Sequence, residues 1–193
     1  MPNDIPTSFD GIIVRLRYEG ESALFPGIVK EALNKINSKP TGKELLKQIV
    51  ALNNKKKFGY TVCIMRPSDL SIVNKNDGKG PQWNAGSVAK RANEANACNG
   101  VGSVTAITWN ANVITTPDGS RPTFIGLAHE LIHALYSLKG EGFLDSSNEE
   151  YRTVGLPPVQ DEREITENKI REEHKVPLRT GYAGVEPPAP VKH

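Results

Sequence analysis

The chain has 193 residues, of which 37% are hydrophobic and 24% are charged, with a formal net charge of +2. A chain of this length can bury enough apolar surface to fold without stabilising disulfide bonds or metal ions, so we expect a single domain over residues 1–193. The small, dispersed charge argues against a nucleic-acid partner, two cysteines exclude a disulfide framework and a four-thiolate zinc site, and no stretch is apolar enough to span a membrane.

The first third of the chain alternates between predicted strands and helices. The N-terminus has no basic segment followed by an apolar one, so no cleavable signal peptide is expected. Alternating β-branched residues predict strands, and apolar residues spaced three and four apart predict helices. The predicted elements are a strand around 13–18, a helix within 25–38, a helix within 41–54 with Thr41 as its N-cap, and a strand over 58–66 that ends at Pro67.

The middle of the chain changes character. Residues 68–102 are rich in Gly, Asn, Ser and Lys, which predicts a functional or disordered loop interrupted by a short helix over 85–95. The remaining predictions are a strand over 102–110, a turn over 115–122, a helix from Pro122 to about Lys139 ended by Gly140, a short helix over 148–156, a longer helix over 161–174, and a flexible tail over about 183–193.

The stretch "AHELIHAL" holds two of the four histidines, His129 and His133, with Glu130 directly after the first. Side chains four apart project together from one face of a helix, which suits two ligands of one tetrahedral ion. The apolar residues fall on the opposite face and predict a core contact there: Phe124, Ala128, Leu131, Leu135 and Leu138. An ordinary surface helix would carry Lys or Glu on its outer face, so the pattern favours a zinc site.

The chemistry expected at such a site is hydrolysis. Zinc held by three protein ligands keeps a position for water and lowers the pKa of that water. Glu130 would then act as the general base and pass the proton to the leaving amine. The strand "SVTAITW", residues 103–109, is a candidate sheet edge to which an extended peptide substrate could pair.

A third ligand must come from outside the motif. Glu150 is favoured, because it lies 17 residues after His133 in a short helix that could return beside the motif helix, with the small Thr153 allowing close approach. The rivals are Glu149 and Glu167. Glu149 is expected to be solvated, since adjacent glutamates in a helix usually include one that faces water. The less favoured candidates are Asp145, His174 and His193.

With these residues assembled, the chain resembles the NleD-like effector zinc metallopeptidases, which bacteria deliver into eukaryotic host cells by type III secretion. The resemblance rests on "TGKELL", "GLAHELIHALYSLKGE", "EEYRTVGL" and "ITENKIREEHKVPLRTGY". It implies an α+β fold: one zincin-like metalloprotease domain with a small mixed sheet and an active-site helix. It also implies a Zn²⁺ cofactor, active-site roles for His129, Glu130 and His133, and a functional role for Glu150, Glu167, Arg179 and Tyr182.

The family is known for cleaving host signalling kinases of the mitogen-activated type, so the resemblance implies a protein substrate and action in the host cytoplasm. We expect a monomer with no nucleic-acid or membrane partner. The same catalytic core also resembles toxin domains at the ends of polymorphic bacterial toxins. A catalytically silent, zinc-stabilised binding module is a further alternative.

The segment "PLRTGY" places Arg179 and Tyr182 three residues apart. A guanidinium and a phenol at this spacing can donate to the oxyanion that forms during peptide hydrolysis, as in clostridial neurotoxin light chains, which look similar in this respect. Glu167 would then orient Arg179 or a zinc-bound histidine from behind. The alternative is a structural pair, with Arg179 bonded to acidic residues of the preceding helix and Tyr182 packed under it.

Overall fold

The computed structural model describes residues 3–18, 21, 23–55, 59–68, 72–74, 81–83, 86–116, 119–159, 161, 164–182 and 186–188. Much of the loop predicted within 68–102, most of the predicted tail and His193 therefore lie outside the described residues. Within the described part, every helix is too short or too polar to cross a membrane.

The described strands are short and the helices are of moderate length. The strands are β1 (Asn3–Pro6), β2 (Ile12–Leu16), β3 (Val62–Met65), β4 (Ile72–Asn74), β5 (Pro81–Trp83), β6 (Val88–Arg91), β7 (Thr105–Thr108), β8 (Thr115–Thr116) and β9 (Gly119–Ser120). The helices are α1 (Phe25–Asn37), α2 (Pro40–Ala51), α3 (Glu94–Ala97), α4 (Thr123–Lys139), α5 (Ser146–Val154) and α6 (Glu167–Glu173), with a 3₁₀ turn at Leu52–Lys55.

The main sheet is mixed, with strand order β1-β2-β3-β7-β6. The three central strands run parallel, while β1 and β6 are antiparallel to their neighbours. The pairs β4-β5 and β8-β9 are separate antiparallel hairpins. The predicted α+β class with a small mixed sheet and an active-site helix is confirmed.

The edge of the sheet differs from the sequence prediction. Strand β7, predicted as an edge, lies between β3 and β6, and the edge strands of the described sheet are β6 and β1. Strand β6 comes from the stretch predicted as a short helix, of which only α3 is helical. The prediction was wrong because Val88–Arg91 has no strong period of its own, and its backbone hydrogen bonds come from pairing with Thr105–Thr108.

Helix α4 lies at the centre of the molecule. Residues 125–138 are all buried, so the core contacts extend beyond the single stripe that the spacing predicts. The remaining helical face is covered by α5 and α6. Pro122 is the N-cap, so the helix begins at Thr123, one residue after the predicted start, and Gly140 ends the helix in the left-handed conformation, with φ of 77°.

Two other helix ends depart from prediction. Helix α2 begins at Pro40 with Lys39 as its N-cap, and Thr41 instead donates its backbone N–H and its hydroxyl to the carboxylate of Glu173. Helix α6 begins at Glu167, later than predicted, because the hydroxyl of Thr166 caps it by accepting from the Lys169 N–H.

The two cysteines do not pair. Both thiols are free, and Cys63 lies fully buried in the central strand β3. Burial raises the pKa of the Cys63 thiol to about 11, which fits the buried, inert thiol predicted from its apolar neighbours.

Candidate metal centre and active site

Helix α4 brings the two motif histidines together. His129 and His133 are one turn apart, both are almost completely buried, and their Nε2 atoms are 3.1 Å apart. The rings meet edge to face, with centroids 4.7 Å apart. The i, i+4 spacing on an unbroken helix is sufficient to produce this approach.

Helix α5 supplies a carboxylate to the same point. The side chain of Asp145 caps the N-terminus of α5, and Gly155 ends it in the left-handed conformation. Between these ends, Glu150 Oε2 lies 3.0 Å from His129 Nε2 and 3.4 Å from His133 Nε2. Among the described residues, this trio is the group of His, Cys, Asp and Glu side chains able to hold a metal ion.

The trio fits a zinc ion by distance and by chemistry. Zinc–nitrogen and zinc–oxygen bonds of about 2.0–2.2 Å in a tetrahedron place two ligand atoms about 3.3 Å apart. The three observed separations are 3.0, 3.1 and 3.4 Å. Two imidazole nitrogens and a carboxylate oxygen are a donor set that zinc accepts in catalytic sites.

A carboxylate lies behind each histidine. Glu167 Oε2 is 2.8 Å from His129 Nδ1, and Glu149 Oε1 is 3.1 Å from His133 Nδ1. An ionised carboxylate only accepts hydrogen bonds, so each Nδ1 carries a proton, and each Nε2 is the ring nitrogen left to bind a metal ion. Two Nε2 lone pairs at 3.1 Å would repel each other, so the trio takes up a cation, either a proton or a metal ion.

The pKa shifts of the trio also indicate a site that attracts a cation. Burial alone would lower the pKa of His133, but the Glu149 and Glu150 carboxylates outweigh it and raise the pKa to about 10. The pKa of His129 is also raised, since Glu150 and Glu167 outweigh its burial. Burial would raise the pKa of Glu150, but the two histidines hold it below its usual value. The pocket therefore favours positive charge.

Glu167 is fully buried among three arginines. Its Oε1 accepts from Arg171 Nε at 2.6 Å and lies 3.5 Å from Arg121 Nη1, and its Oε2 lies 3.3 Å from Arg179 Nη1. Burial raises the pKa of a carboxyl group, but the bond to His129 and the nearby guanidinium groups hold that of Glu167 below its usual value. The structure thus places Glu167 behind His129 and beside Arg179.

Glu149 is not solvated, contrary to expectation. It is 7% exposed, and besides His133 it accepts from Arg91 Nη2 at 2.7 Å and from the backbone N–H of Phe143 at 2.7 Å. The sequence indicated only that one of two adjacent glutamates should face water. These partners of Glu149 come from β6 and from the loop before α5, which local periodicity does not reveal.

Glu130 and Tyr182 line a cleft of about 240 Å³ beside the trio, together with residues from β6 and from the start of α5. Glu130 is buried, and burial raises its pKa. The ring of Tyr182 stacks on His129 with centroids 5.8 Å apart. Burial, with the Glu150 carboxylate nearby, raises the pKa of the Tyr182 phenol, so this hydroxyl is a protonated donor at neutral pH.

Arg179 lies one layer further from the cleft. Its guanidinium bonds Glu167 and covers the ring of Tyr182 at 4.4 Å from the centroid. Asn168 holds the Arg179 backbone through both its N–H and its carbonyl. These are the contacts of the structural-pair alternative, and they leave Tyr182, not Arg179, at the cleft.

The other candidates for the third ligand lie elsewhere or have other contacts. Asp145 caps α5, and the ring of His174 packs edge-on against Phe124 with centroids 4.8 Å apart.

Comparison with known proteins places this arrangement in a family. The family model Peptidase_M91, described as effector protein, matches residues 15–182. No curated protein matches the chain in sequence. Among solved structures, the botulinum neurotoxin type G light chain is similar, with a TM-score of 0.53, 18% identity, and coverage of 86% of this chain and 55% of that one. The Clostridium botulinum serotype F light chain has a TM-score of 0.43 and 22% identity, covering 60% of this chain and 35% of that one. The chain thus spans about a third to about half of the length of these light chains.

Proposed function

Because the chain belongs to the Peptidase_M91 family of effector proteins, it is a metallopeptidase, and we propose that it is a zinc-dependent endopeptidase that cleaves a host signalling protein. The family expected from the sequence is thereby confirmed. One observation carries the proposal: two imidazole nitrogens and a carboxylate oxygen face one another at 3.0–3.4 Å beside a cleft.

In the proposed site, His129 and His133 from α4 and Glu150 from α5 hold the zinc ion. Bound zinc supplies a Lewis acid that polarises the scissile carbonyl and makes a water molecule acidic enough to attack near neutral pH. Glu167 and Glu149 orient the two imidazole rings through their Nδ1 protons.

Glu130 is the proposed general base. It follows His129 on α4, so its carboxylate lines the cleft without joining the donor trio. In this position it can take the proton of the attacking water and transfer it to the leaving amine. The attacking oxygen forms a bond to the carbonyl carbon, the C–N bond breaks, and the amine departs with the proton from Glu130.

Tyr182 is the proposed donor to the oxyanion. Its phenol lines the cleft, and Arg179 lies over its ring and holds it in place. A preorganised hydroxyl at the point where negative charge develops stabilises the transition state more than the ground state. Arg179 would contribute through its charge and by positioning Tyr182.

The substrate is proposed to bind as an extended segment along β6. In the described part of the sheet, β6 is hydrogen-bonded on one side, to β7, and its residues Val88, Ala89 and Arg91 line the cleft. An extended peptide can add to such an edge by backbone hydrogen bonds, which holds its scissile bond across the site.

The effector family supports secretion and delivery into a host cell, and the resemblance to NleD-like members supports a mitogen-activated protein kinase as substrate. A decisive experiment compares new N-termini in host-cell lysate after incubation with wild type and with Glu130→Ala. One or a few cleavages, in a signalling kinase, are expected with wild type alone. Broad digestion would favour a toxin-type protease, and no zinc-dependent cleavage would favour a silent binding module.

A further inference from the structure

Arg91, the last residue of β6, makes an unusually large set of contacts for an edge-strand arginine. Its Nη2 donates to Glu149 Oε1 at 2.7 Å. Its Nη1 donates to the backbone carbonyl of Phe143 at 2.9 Å, to Glu94 at 3.1 Å and to the sulfur of Cys98 at 3.4 Å. The side chain is 11% exposed, so the guanidinium is directed into the protein although it borders the cleft.

The contacts of Arg91 lead to the metal site. Glu149 lies between Arg91 and His133, with the same Oε1 atom 2.7 Å from Arg91 Nη2 and 3.1 Å from His133 Nδ1. The other oxygen of Glu149 accepts from the backbone N–H of Phe143 at 2.7 Å. Arg91 therefore bonds the backbone carbonyl of Phe143, and Glu149 bonds the backbone N–H of the same residue. The Glu149 carboxylate also bonds the ring of His133, so it connects the loop to the metal site.

The loop before α5 is packed closely around this guanidinium. A Cβ atom at Gly142 would lie 2.7 Å from Arg91 Nη2 and 3.0 Å from the carbonyl oxygen of Ala97. The close approach means that the position of the guanidinium is determined from several sides, by β6, α3 and the loop. A group fixed in this way can in turn fix the carboxylate that it bonds.

The glutamates behind the two histidines differ in how many arginines bond them. Glu167, behind His129, is surrounded by Arg121, Arg171 and Arg179. Among the described residues, Arg91 is the arginine bonded to Glu149, behind His133. Removing one guanidinium should therefore disturb the His133 side much more than the His129 side, because a buried carboxylate that loses its cation is left uncompensated.

We propose that Arg91 is a positioning residue for the metal site, which fixes the His133 ring through Glu149 and ties the edge strand β6 to the zinc ligands. This inference rests on the proposed function. It predicts that Arg91 acts on metal retention and turnover and not on substrate affinity, because its N–H groups bond to the protein itself.

The test is the rate at which zinc-loaded protein releases zinc to an excess of chelator, measured without substrate. Arg91→Met should speed release by roughly ten- to a hundredfold, as loss of a group behind a ligand does, and Arg91→Lys should restore part of the effect because it keeps the charge. In a peptide assay at saturating zinc, kcat should fall while KM stays close to wild type. Arg15→Met is the control, since Arg15 forms an ion pair of similar length with Asp4 on β1 and β2, in a more exposed place away from the site.

A double-mutant cycle tests whether Arg91 affects the metal site through Glu149. If Arg91 acts through Glu149, then Arg91→Met should add little to Glu149→Gln, and the two effects should be strongly non-additive. Additive effects, a rise in KM alone, or zinc release at the wild-type rate would each overturn the inference. Should Arg91→Met fail to fold, Arg91→Lys and Glu149→Gln provide the same comparison. A wild-type protein that binds no zinc would overturn the proposed function as well, whereas normal zinc binding in both wild type and Arg91→Met overturns this inference alone.

Discussion

Glu130 is the residue at which catalysis and metal binding can be separated. Because it lines the cleft but lies outside the donor trio, Glu130→Gln should keep about one zinc per chain and lower kcat by roughly a thousandfold or more. Zinc content and turnover of the purified protein test this. Glu172→Gln, at an exposed position of α6, should retain both. Activity of Glu130→Gln within tenfold of wild type would remove Glu130 from the mechanism.

The choice of the third ligand rests on three glutamates. Only the carboxylate of Glu150 reaches both Nε2 atoms, whereas Glu149 and Glu167 reach Nδ1 atoms. Glu150→Gln should therefore abolish stoichiometric zinc binding, and Glu149→Gln should only weaken it, by roughly 10- to 100-fold. Elemental analysis and competitive zinc titration measure both effects. If Glu150→Gln keeps its zinc and Glu167→Gln loses it, the proposed ligand set is wrong.

Tyr182 and Arg179 should respond differently to substitution. Tyr182→Phe removes only the hydroxyl at the cleft, so kcat should fall by roughly ten- to a thousandfold with zinc content and melting temperature close to wild type. Arg179→Lys should lower kcat and also the melting temperature, because Arg179 is buried and bonds Glu167. A Tyr182→Phe protein that loses thermal stability but keeps its turnover would favour the structural-pair alternative.

The C-terminal end of α4 determines how the active-site helix meets the rest of the fold. Gly140 has a φ of 77°, and a Cβ there would lie 2.6 Å from the backbone of Gly100. Gly27, in the first turn of α1, has nothing within 4 Å of such a Cβ. Gly140→Ala should lower the free energy of unfolding by well over about 1 kcal/mol, whereas Gly27→Ala should raise it by about 0.5–1 kcal/mol.

Urea unfolding of the two variants and wild type measures the difference. The pair is matched in chemistry, since each adds one methyl group, and differs only in the backbone conformation and in the space available. Equal effects of the two substitutions would mean that the end of α4 is not held by its contact with Gly100.

The elements predicted well from the sequence are those whose signal is local. The helices α1, α2, α4 and α5 have apolar spacing or caps within their own residues, and His129 and His133 need only an unbroken helix to meet. Strand β6 could not be predicted this way, because the pairing that makes Val88–Arg91 a strand comes from β7. The edge of the sheet, and with it the proposed substrate path, was therefore misplaced.

The missed site residues follow the same rule. The burial of Glu149 depends on Arg91, which is distant in sequence and reaches it only after β6 has paired with β7. The position of Glu150 beside the two histidines could be predicted from its spacing, but its neighbour Glu149 could not be recognised as buried. Residues that act from behind the ligands are recruited by tertiary packing, and single-sequence patterns do not encode them.

The proposed ligands come from two helices, α4 and α5, and the carboxylate behind His129 comes from a third, α6. Unfolding separates these helices and disperses the donor atoms. A zinc ion that binds only the folded state should therefore stabilise the whole fold, by about 2.7 kcal/mol when free zinc exceeds its dissociation constant a hundredfold.

The thiol of Cys63 can report this linkage. Cys63 is fully buried in the central strand β3, and burial raises its pKa to about 11, so in a Cys98→Ser background alkylation should require opening of the sheet. The zinc-loaded protein is kept at a free zinc concentration about a hundredfold above the dissociation constant. Removing the zinc with a chelator should then increase the fraction of open molecules, and with it the labelling rate, about a hundredfold. The same chelator should have no effect in a background that also carries His133→Ala, because that protein has no zinc to lose. An equal labelling rate in zinc-loaded and chelator-treated protein, with the His133 site intact, would mean that the metal site and the central sheet are not thermodynamically linked.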